Sequence, residues 1–199
     1  MKDLSLMKFK IQAGSFLLLF FISALSTSAQ ESKDYTKSLS LQGATFNLRA
    51  TNHGSINNLT IVGEYLGHKI LENQREIEGS VTGAEIADLN SDGSPEIYIY
   101  LTSVGSGSYG SVIAYAMNKK HSATEIYMPN ISDNPKLSKG YMGHDEFSIL
   151  ENRLGRRFPL YLAGDINSKP SGGIRQLEYK LIPGEASWLL KVSKQTDIK

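Results

Sequence analysis

Residues 96–101, Glu-Ile-Tyr-Ile-Tyr-Leu, carry the clearest structural pattern in this chain of 199 residues. Three aliphatic residues alternate there with two tyrosines, so each kind of side chain lies on its own side of an extended backbone. The same alternation recurs over residues 111–117, 177–181 and 188–192. A period of two in β-branched and aromatic residues predicts half-buried β-strands.

Further strand-like segments alternate with clusters of Gly, Pro, Asn and Asp that favour turns. These segments cover residues 44–50, 59–66, 68–72, 80–88, 146–151 and 157–162. Only residues 71–79 and 131–139 have a composition that could form a short helix. Many short strands at this spacing predict an all-β fold, namely a single-domain antiparallel β-sandwich of about eight short strands.

The first 29 residues have the features of a secretory signal peptide. Three lysines precede an apolar run over residues 14–25, and small residues follow up to Ala29. The run is shorter than the roughly 20 apolar residues of a permanent membrane span. We therefore expect cleavage after Ala29, or alternatively after Ser28, and a periplasmic or secreted protein that makes no membrane contact in its mature form. Residues 30–42 are polar and are predicted as a loose lead-in to a β-sandwich domain over residues 43–199.

Composition excludes several classes of function. The chain contains no cysteine, which excludes a disulfide scaffold, a thiolate zinc site and a thiol nucleophile. Its formal net charge is only +1, so no broad basic surface is available for nucleic acid. Neither a G-x-S-x-G nor an H-E-x-x-H motif occurs. An enzyme, such as a glycan hydrolase with two opposed carboxyl groups, stays an alternative for which the sequence nominates no residue pair.

Residues 105–110, Gly-Ser-Gly-Ser-Tyr-Gly, form the most unusual segment. They match the dinucleotide pattern G-x-G-x-x-G in letters only, because a strand follows where that motif needs a helix. Glycines allow close backbone approach, serines offer hydroxyls, and tyrosine combines an apolar ring with a polar tip. We predict a hairpin loop that binds a partner through Gly105, Ser106, Gly107, Ser108, Tyr109 and Gly110. The alternative is a polar hairpin whose tyrosine packs back on the sheet.

A second candidate site lies in residues 88–96, Asp-Leu-Asn-Ser-Asp-Gly-Ser-Pro-Glu. Oxygen-bearing side chains at alternate positions and a glycine at the bend suit calcium. The twelfth position of a helical calcium loop would be Ile99, so only the shorter D-x-N-x-D-G-x-x-E form fits. The predicted ligands of a structural Ca²⁺ are Asp88, Asn90, Asp92, Ser94 and Glu96. The alternative is an ordinary turn between strands.

Two further charged clusters are predicted to be structural. His144, Asp145 and Glu146 are consecutive, and neighbouring residues of a strand point to opposite faces, so they make a poor metal or acid–base site. They are expected to be a turn with surface charges. Arg156 and Arg157 are expected to be solvated or to pair with nearby acidic side chains.

Four blocks of sequence together resemble the bacterial periplasmic inhibitors of invertebrate-type (i-type) lysozyme. They are Ser-Gly-Ser-Tyr-Gly at 106–110, Gly-Tyr-Met-Gly-His-Asp-Glu-Phe at 140–147, Arg-Arg-Phe-Pro-Leu-Tyr at 156–161, and Gly-Asp-x-Asn-x-x-Pro-x-Gly-Gly at 164–173. The similarity covers about residues 80–182, whereas residues 30–79 share only a strand-like character. Single blocks are weak signals, but four in this order are specific.

The resemblance implies an antiparallel β-sandwich that is not an enzyme and that protects peptidoglycan from the lysozyme of a host or a predator. It also implies that Ser106-Gly107-Ser108-Tyr109 enter the active-site cleft of the i-type lysozyme. A lysozyme cleft holds two carboxyl groups, to which a serine hydroxyl could donate. The alternative function is that of a calcium-dependent carbohydrate- or surface-binding β-domain. An exposed strand edge would also allow a homodimer.

Overall fold

The computed structural model describes residues 34–199, which belong to one compact unit, Ser32–Lys199. The predicted signal peptide over residues 1–29 lies outside the described residues. In the part of the chain that is described, no helix is long and apolar enough to cross a membrane.

Strands account for most of the described chain. In order they are β1 (Tyr35–Leu41), β2 (Ala44–Ala50), β3 (Ile56–Tyr65), β4 (His68–Glu78), β5 (Ser80–Ala87), β6 (Glu96–Thr102), β7 (Gly110–Asn118), β8 (Ser122–Glu125), β9 (Glu146–Leu150), β10 (Arg153–Pro159), β11 (Ile174–Pro183) and β12 (Trp188–Ile198). A 3₁₀ turn, Ile131–Asp133, and one α-helical turn, α1 (Pro135–Ser138), lie between β8 and β9. The all-β prediction is confirmed.

The strands form three antiparallel sheets of four strands each within residues 34–199. The first sheet has the order β1-β2-β3-β4, the middle sheet β5-β6-β7-β8, and the third sheet β12-β11-β10-β9. Most strands therefore pair with a neighbour in sequence through a short hairpin. This local connectivity is what the frequent turn signals in the sequence indicated.

The middle sheet packs on both of its faces. Ile97, Ile99 and Leu101 of β6 join Phe46 and other residues of the first sheet in one hydrophobic core. On the opposite face, the two tyrosines of β6 join a second core with the third sheet. Every residue from Glu96 to Leu101 is consequently buried. The alternation in residues 96–101 thus separates two apolar faces, whereas the prediction of a half-buried strand assumed one.

The predicted count of about eight strands in one sandwich is wrong, because twelve strands form three sheets within the described residues. The expected lead-in over residues 30–42 is also incorrect where it overlaps β1. This strand pairs with β2 throughout, from Tyr35 opposite Ala50 to Leu41 opposite Ala44. Its polar side chains alternate with half-buried ones, so a polar composition concealed an edge strand.

The two helix predictions have different outcomes. Residues 71–79 lie almost entirely in β4, which pairs along its length with β3, so a helix there is wrong. Residues 131–139 contain the 3₁₀ turn and α1, as expected. Asn130 and Asn134 cap these two short turns with their side-chain oxygens.

The β6–β7 hairpin determines where the candidate site lies. Its two strands stay in register up to the pair Thr102 and Gly110. Residues 103–109 then project beyond the middle sheet as a loop, here called the binding loop. Residues 88–95, which connect β5 to β6, lie at the other end of β6.

Candidate functional site

Backbone hydrogen bonds give the binding loop a closed base. The Ser103 amide donates to the Tyr109 carbonyl at 2.9 Å, and the Tyr109 amide donates to Ser103 Oγ at 3.0 Å. Within the loop, the Ser108 amide donates to the Gly105 carbonyl at 3.2 Å. Gly105 has a φ of +129°, a value that favours glycine. The tip around Ser106 is exposed, so its hydroxyl is accessible to a partner.

Residues 143–144, which precede β9, contact the backbone of the binding loop. The His144 amide donates to the carbonyls of Gly107 and Ser108, at 2.8 and 3.1 Å. The neighbouring Gly143 has a φ of +91°, and a Cβ atom there would overlap the Gly107 carbonyl oxygen. Only glycine therefore allows this close approach of the two backbones.

The segment between β10 and β11 holds the loop from a second side. The Asn167 side-chain amide donates to the Ser106 carbonyl. Asn167 is itself fixed, because its Oδ1 lies 3.2 Å from His144 Nε2 and its carbonyl accepts a 2.8 Å hydrogen bond from the Tyr161 hydroxyl. The Ser106 carbonyl thus accepts a hydrogen bond, while Ser106 as a whole stays exposed to solvent.

A buried ion pair lies at the foot of the hairpin. The Asp145 carboxylate accepts from Arg156 Nε at 2.7 Å, from the Gly110 amide at 2.7 Å and from the Tyr141 hydroxyl at 2.6 Å. The side chains of Arg156 and Asp145 are only 5% and 0% exposed. Burial, ahead of the hydrogen bond to Asp145, raises the pKa of Tyr141 above its usual range. The hydroxyl therefore stays protonated and donates to the carboxylate.

Aromatic rings surround the Arg156 guanidinium. Its central carbon lies 5.1 Å from the ring centroid of Tyr141, 5.4 Å from that of Phe147 and 5.7 Å from that of Phe158. The Tyr109 ring meets Tyr141 edge to face, with 5.7 Å between centroids. Tyr109 is 50% exposed, so its ring is supported on one side and open on the other. The packing on Tyr141 fits the alternative of a tyrosine that packs back on the fold, whereas the open face leaves the ring accessible to a partner, whose binding stays a prediction.

The expectation of a surface charge is wrong for Asp145, whose side chain is buried, whereas the expected pairing of Arg156 with an acidic side chain is confirmed by its ion pair with Asp145. The expectation of surface charges fits their neighbours Glu146 and Arg157, which are exposed. The sequence concealed this difference because Asp145 and Arg156 belong to different segments, and only the pairing of β9 with β10 brings them together. Tyr141 and Asn167 were not predicted as contributors, since a single Tyr or Asn in a loop carries no distinguishing pattern.

The structure brings together three of the five predicted calcium ligands. One carboxylate oxygen from each of Asp88, Asp92 and Glu96 lies within 4.8 Å of the others. Glu96 is 1% exposed and accepts a 2.9 Å hydrogen bond from the Leu89 amide. Burial, followed by the smaller effects of the two aspartates, raises the pKa of Glu96 to about 8.

The other two predicted ligands are involved in the turn itself. Asn90 accepts from the Asp92 amide and donates to an Asp92 carboxylate oxygen at 2.9 Å. Ser94 is buried, and its amide donates to Asp92. These contacts belong to the Asx turns that were the alternative interpretation. Calcium binding stays a prediction.

Comparison with known proteins identifies a family for part of the chain. Residues 70–135 match the family model described as periplasmic lysozyme inhibitor of I-type lysozyme. No curated protein was found to match. The matched segment runs from β4 to the start of α1 and includes the binding loop. The resemblance expected from the sequence is confirmed there. Outside the match, the blocks at 140–147 and 164–173 contact the loop directly, and the block at 156–161 contacts these two blocks.

Proposed function

We propose that this protein is a periplasmic inhibitor of i-type lysozyme that inserts the binding loop into the active-site cleft of the enzyme. The family match over residues 70–135 supports the inhibitory role. One structural observation supports the use of this loop: its tip is exposed, while segments around His144 and Asn167 fix its backbone through hydrogen bonds. A loop held in this way loses little conformational entropy when it binds.

The chemistry of the loop suits a glycosidase cleft. Such a cleft contains a catalytic pair of carboxyl groups and subsites for sugar rings. Ser106 is exposed and can donate its hydroxyl to a carboxylate, while the hydrogen bond from Asn167 to its carbonyl holds its backbone in place. The open face of Tyr109 can occupy a sugar subsite, where an aromatic ring and a hydroxyl both find partners.

A groove of about 740 Å³ beside the loop extends this surface. Tyr109 and Tyr141 line it together with Arg156, whose charge is already compensated by Asp145. A partner that covers Tyr109 therefore also meets aromatic rings and a neutralised ion pair. Burying these three side chains removes no unpaired charge from water, and the exposed Glu78 is the other charged residue that lines the groove.

The proposed role needs no catalytic residue, so we infer that the protein is not an enzyme. It would act in the periplasm, where it would protect peptidoglycan from a lysozyme of host or predator origin. The acidic cluster lies at the opposite end of β6 from the binding loop. A cation there would stabilise the connection into β6 and would not take part in the contact.

The test is lysis of peptidoglycan by i-type, c-type and g-type lysozymes in the presence of purified residues 30–199. Selective inhibition of the i-type enzyme is expected, with a loss of at least 2 kcal/mol, or about 30-fold, for Tyr109→Ala. Ser106→Ala should also weaken inhibition. Tyr127→Ala is the control, because this tyrosine is 62% exposed and lies outside the loop. Equal inhibition by the Tyr109 and Tyr127 variants would refute the role of the loop.

A second candidate function is calcium-dependent binding of a carbohydrate or another surface. The observation that favours it is the convergence of Asp88, Asp92 and Glu96. It requires that a chelator abolish glycan binding, whereas inhibition of lysozyme through the binding loop requires no cation. Binding assays with and without chelator therefore separate the two functions.

A further inference from the structure

The binding loop is too small to form a stable protein interface by itself. It spans only residues 103–109, whereas a specific interface buries about 800 Å² on each partner and involves roughly 20–30 residues a side. When a loop enters a cleft, the rim of the cleft closes around the base of the loop. The residues that border the loop must therefore supply much of the remaining contact.

The segment 160–168 borders the binding loop and is joined to it. Asn167 binds the Ser106 carbonyl and is itself held by Tyr161. Asp165 stiffens the segment by accepting hydrogen bonds from the amides of Leu162 and Ser171, at 2.7 and 2.8 Å. The hydrogen bond from the Leu162 amide has the largest effect, followed by those from Ser171, and together they lower the pKa of Asp165. The binding loop and this segment thus form one surface that is already ordered before a partner binds.

The bordering segments carry exposed apolar side chains. Leu162 and Ile166 are 60% and 59% exposed, and Met142 next to Gly143 is also exposed. Single exposed aliphatic side chains are normal on a protein surface. Here, however, they belong to two segments that both hydrogen-bond the same loop, through His144 and Asn167, so each lies within a few residues of the proposed contact.

We infer that Met142, Leu162 and Ile166 form a shoulder that packs against apolar side chains on the rim of the lysozyme cleft. The shoulder rests on the proposed function, since the rim reaches it only when the binding loop is inside the cleft. The loop would supply the polar contacts at the bottom of the cleft. The shoulder would supply the apolar area that slows dissociation.

The test compares the double variant Leu162→Ser/Ile166→Ser with Tyr109→Ala and with the unchanged protein. The double variant is expected to inhibit i-type lysozyme about tenfold more weakly, mainly through faster dissociation. Its melting temperature should not change, because both side chains face solvent. Leu66→Asn is the matched control, since Leu66 is 70% exposed and lies in the turn between β3 and β4.

A direct contact can be measured separately from any loosening of the loop. The chain has no cysteine, so Ile166→Cys or Leu66→Cys can be labelled at a single position with a polarity-sensitive dye. Lysozyme should shift the emission of the dye at position 166 and leave that at position 66 unchanged.

Unchanged inhibition by the double variant, with inhibition lost in Tyr109→Ala, would refute the shoulder and leave the proposed function intact. An unshifted dye at position 166 in a complex that still forms would refute it as well. Failure of the unchanged protein to inhibit any lysozyme would refute both the shoulder and the proposed function.

Discussion

Gly143 packs against the backbone of the binding loop at Gly107. Substituting it tests whether inhibition depends on this close contact. Gly143→Ala would place a methyl group against the Gly107 carbonyl and push the two segments apart. We expect inhibition of lysozyme to weaken by at least tenfold while the sheets stay folded. Gly67→Ala is the control, because its φ of +82° causes similar backbone strain with no atom nearby. If both variants inhibit equally well, the contact with Gly143 does not shape the loop.

The Tyr141 hydroxyl connects Asp145 to Arg156 and can be removed without disturbing either charge. Tyr141→Phe loses one hydrogen bond donated to the carboxylate and one accepted from the guanidinium. We expect the free energy of unfolding to fall by about 1–3 kcal/mol, since the partners are buried. Urea denaturation measures this change. Tyr127→Phe should have almost no effect, and an equal effect of the two substitutions would contradict the assigned network.

Glu96 should make stability depend on pH. Its pKa is raised by burial from 4.5 to about 8, so between these pH values the folded chain binds more protons than the unfolded chain. The free energy of unfolding must therefore fall as pH rises through this window, by an amount on the order of a few kcal/mol. Denaturation at pH 5 and pH 8 should show the fall in the unchanged protein and in Glu76→Gln, an exposed control. A fall that persists undiminished in Glu96→Gln would contradict this origin.

At the scale of elements, the connection from β5 to β6 is where calcium binding can be tested. Calcium would bind ionised carboxylates and would offset the repulsion among Asp88, Asp92 and Glu96. Titration calorimetry at pH 8 should show heat, and the melting temperature should rise with calcium and fall again with a chelator. Asp88→Asn should remove both effects. No heat and no change in melting in the unchanged protein would exclude calcium there.

The strands were predictable wherever one face differs clearly from the other. The hairpin β6–β7 and its glycine-rich loop follow from alternation and turn residues in a short stretch of sequence. β1 was missed because its half-buried face includes Lys37, whose ammonium reaches the Ala84 carbonyl at 2.7 Å. A lysine whose stem lies along the sheet does not look like a core-facing residue.

The supports of the binding loop were harder to predict than the loop itself. The loop is one continuous segment, whereas its supports come from residues far away in the chain, such as Gly143 and Asn167. Asn167 contacts Ser106 across 61 positions. Only the resemblance to a family grouped these blocks, and it gave no physical reason for their association. The structure supplies that reason in the hydrogen bonds to the loop backbone.

At the scale of the whole molecule, the stacking of three sheets places β6 between two hydrophobic cores. Both of its faces are covered, and its two ends lead to the acidic cluster and to the binding loop. The third sheet also provides Arg156, which pairs with Asp145 at the foot of the loop. The third sheet thus both covers the second core and positions the candidate site. A two-sheet sandwich of the same strands would leave the tyrosines of β6 exposed.

Competition at the lysozyme cleft tests most directly whether the binding loop enters it. The inhibition constant for i-type lysozyme should be measured at increasing concentrations of a soluble chitooligosaccharide that occupies the cleft. If the loop fills the same space, the apparent inhibition constant rises linearly with sugar concentration, by the factor 1 + c/Kd, where c is the concentration of the sugar and Kd is its dissociation constant. An inhibition constant that does not change with sugar concentration would show that the protein binds elsewhere on the enzyme, and would contradict insertion of the loop.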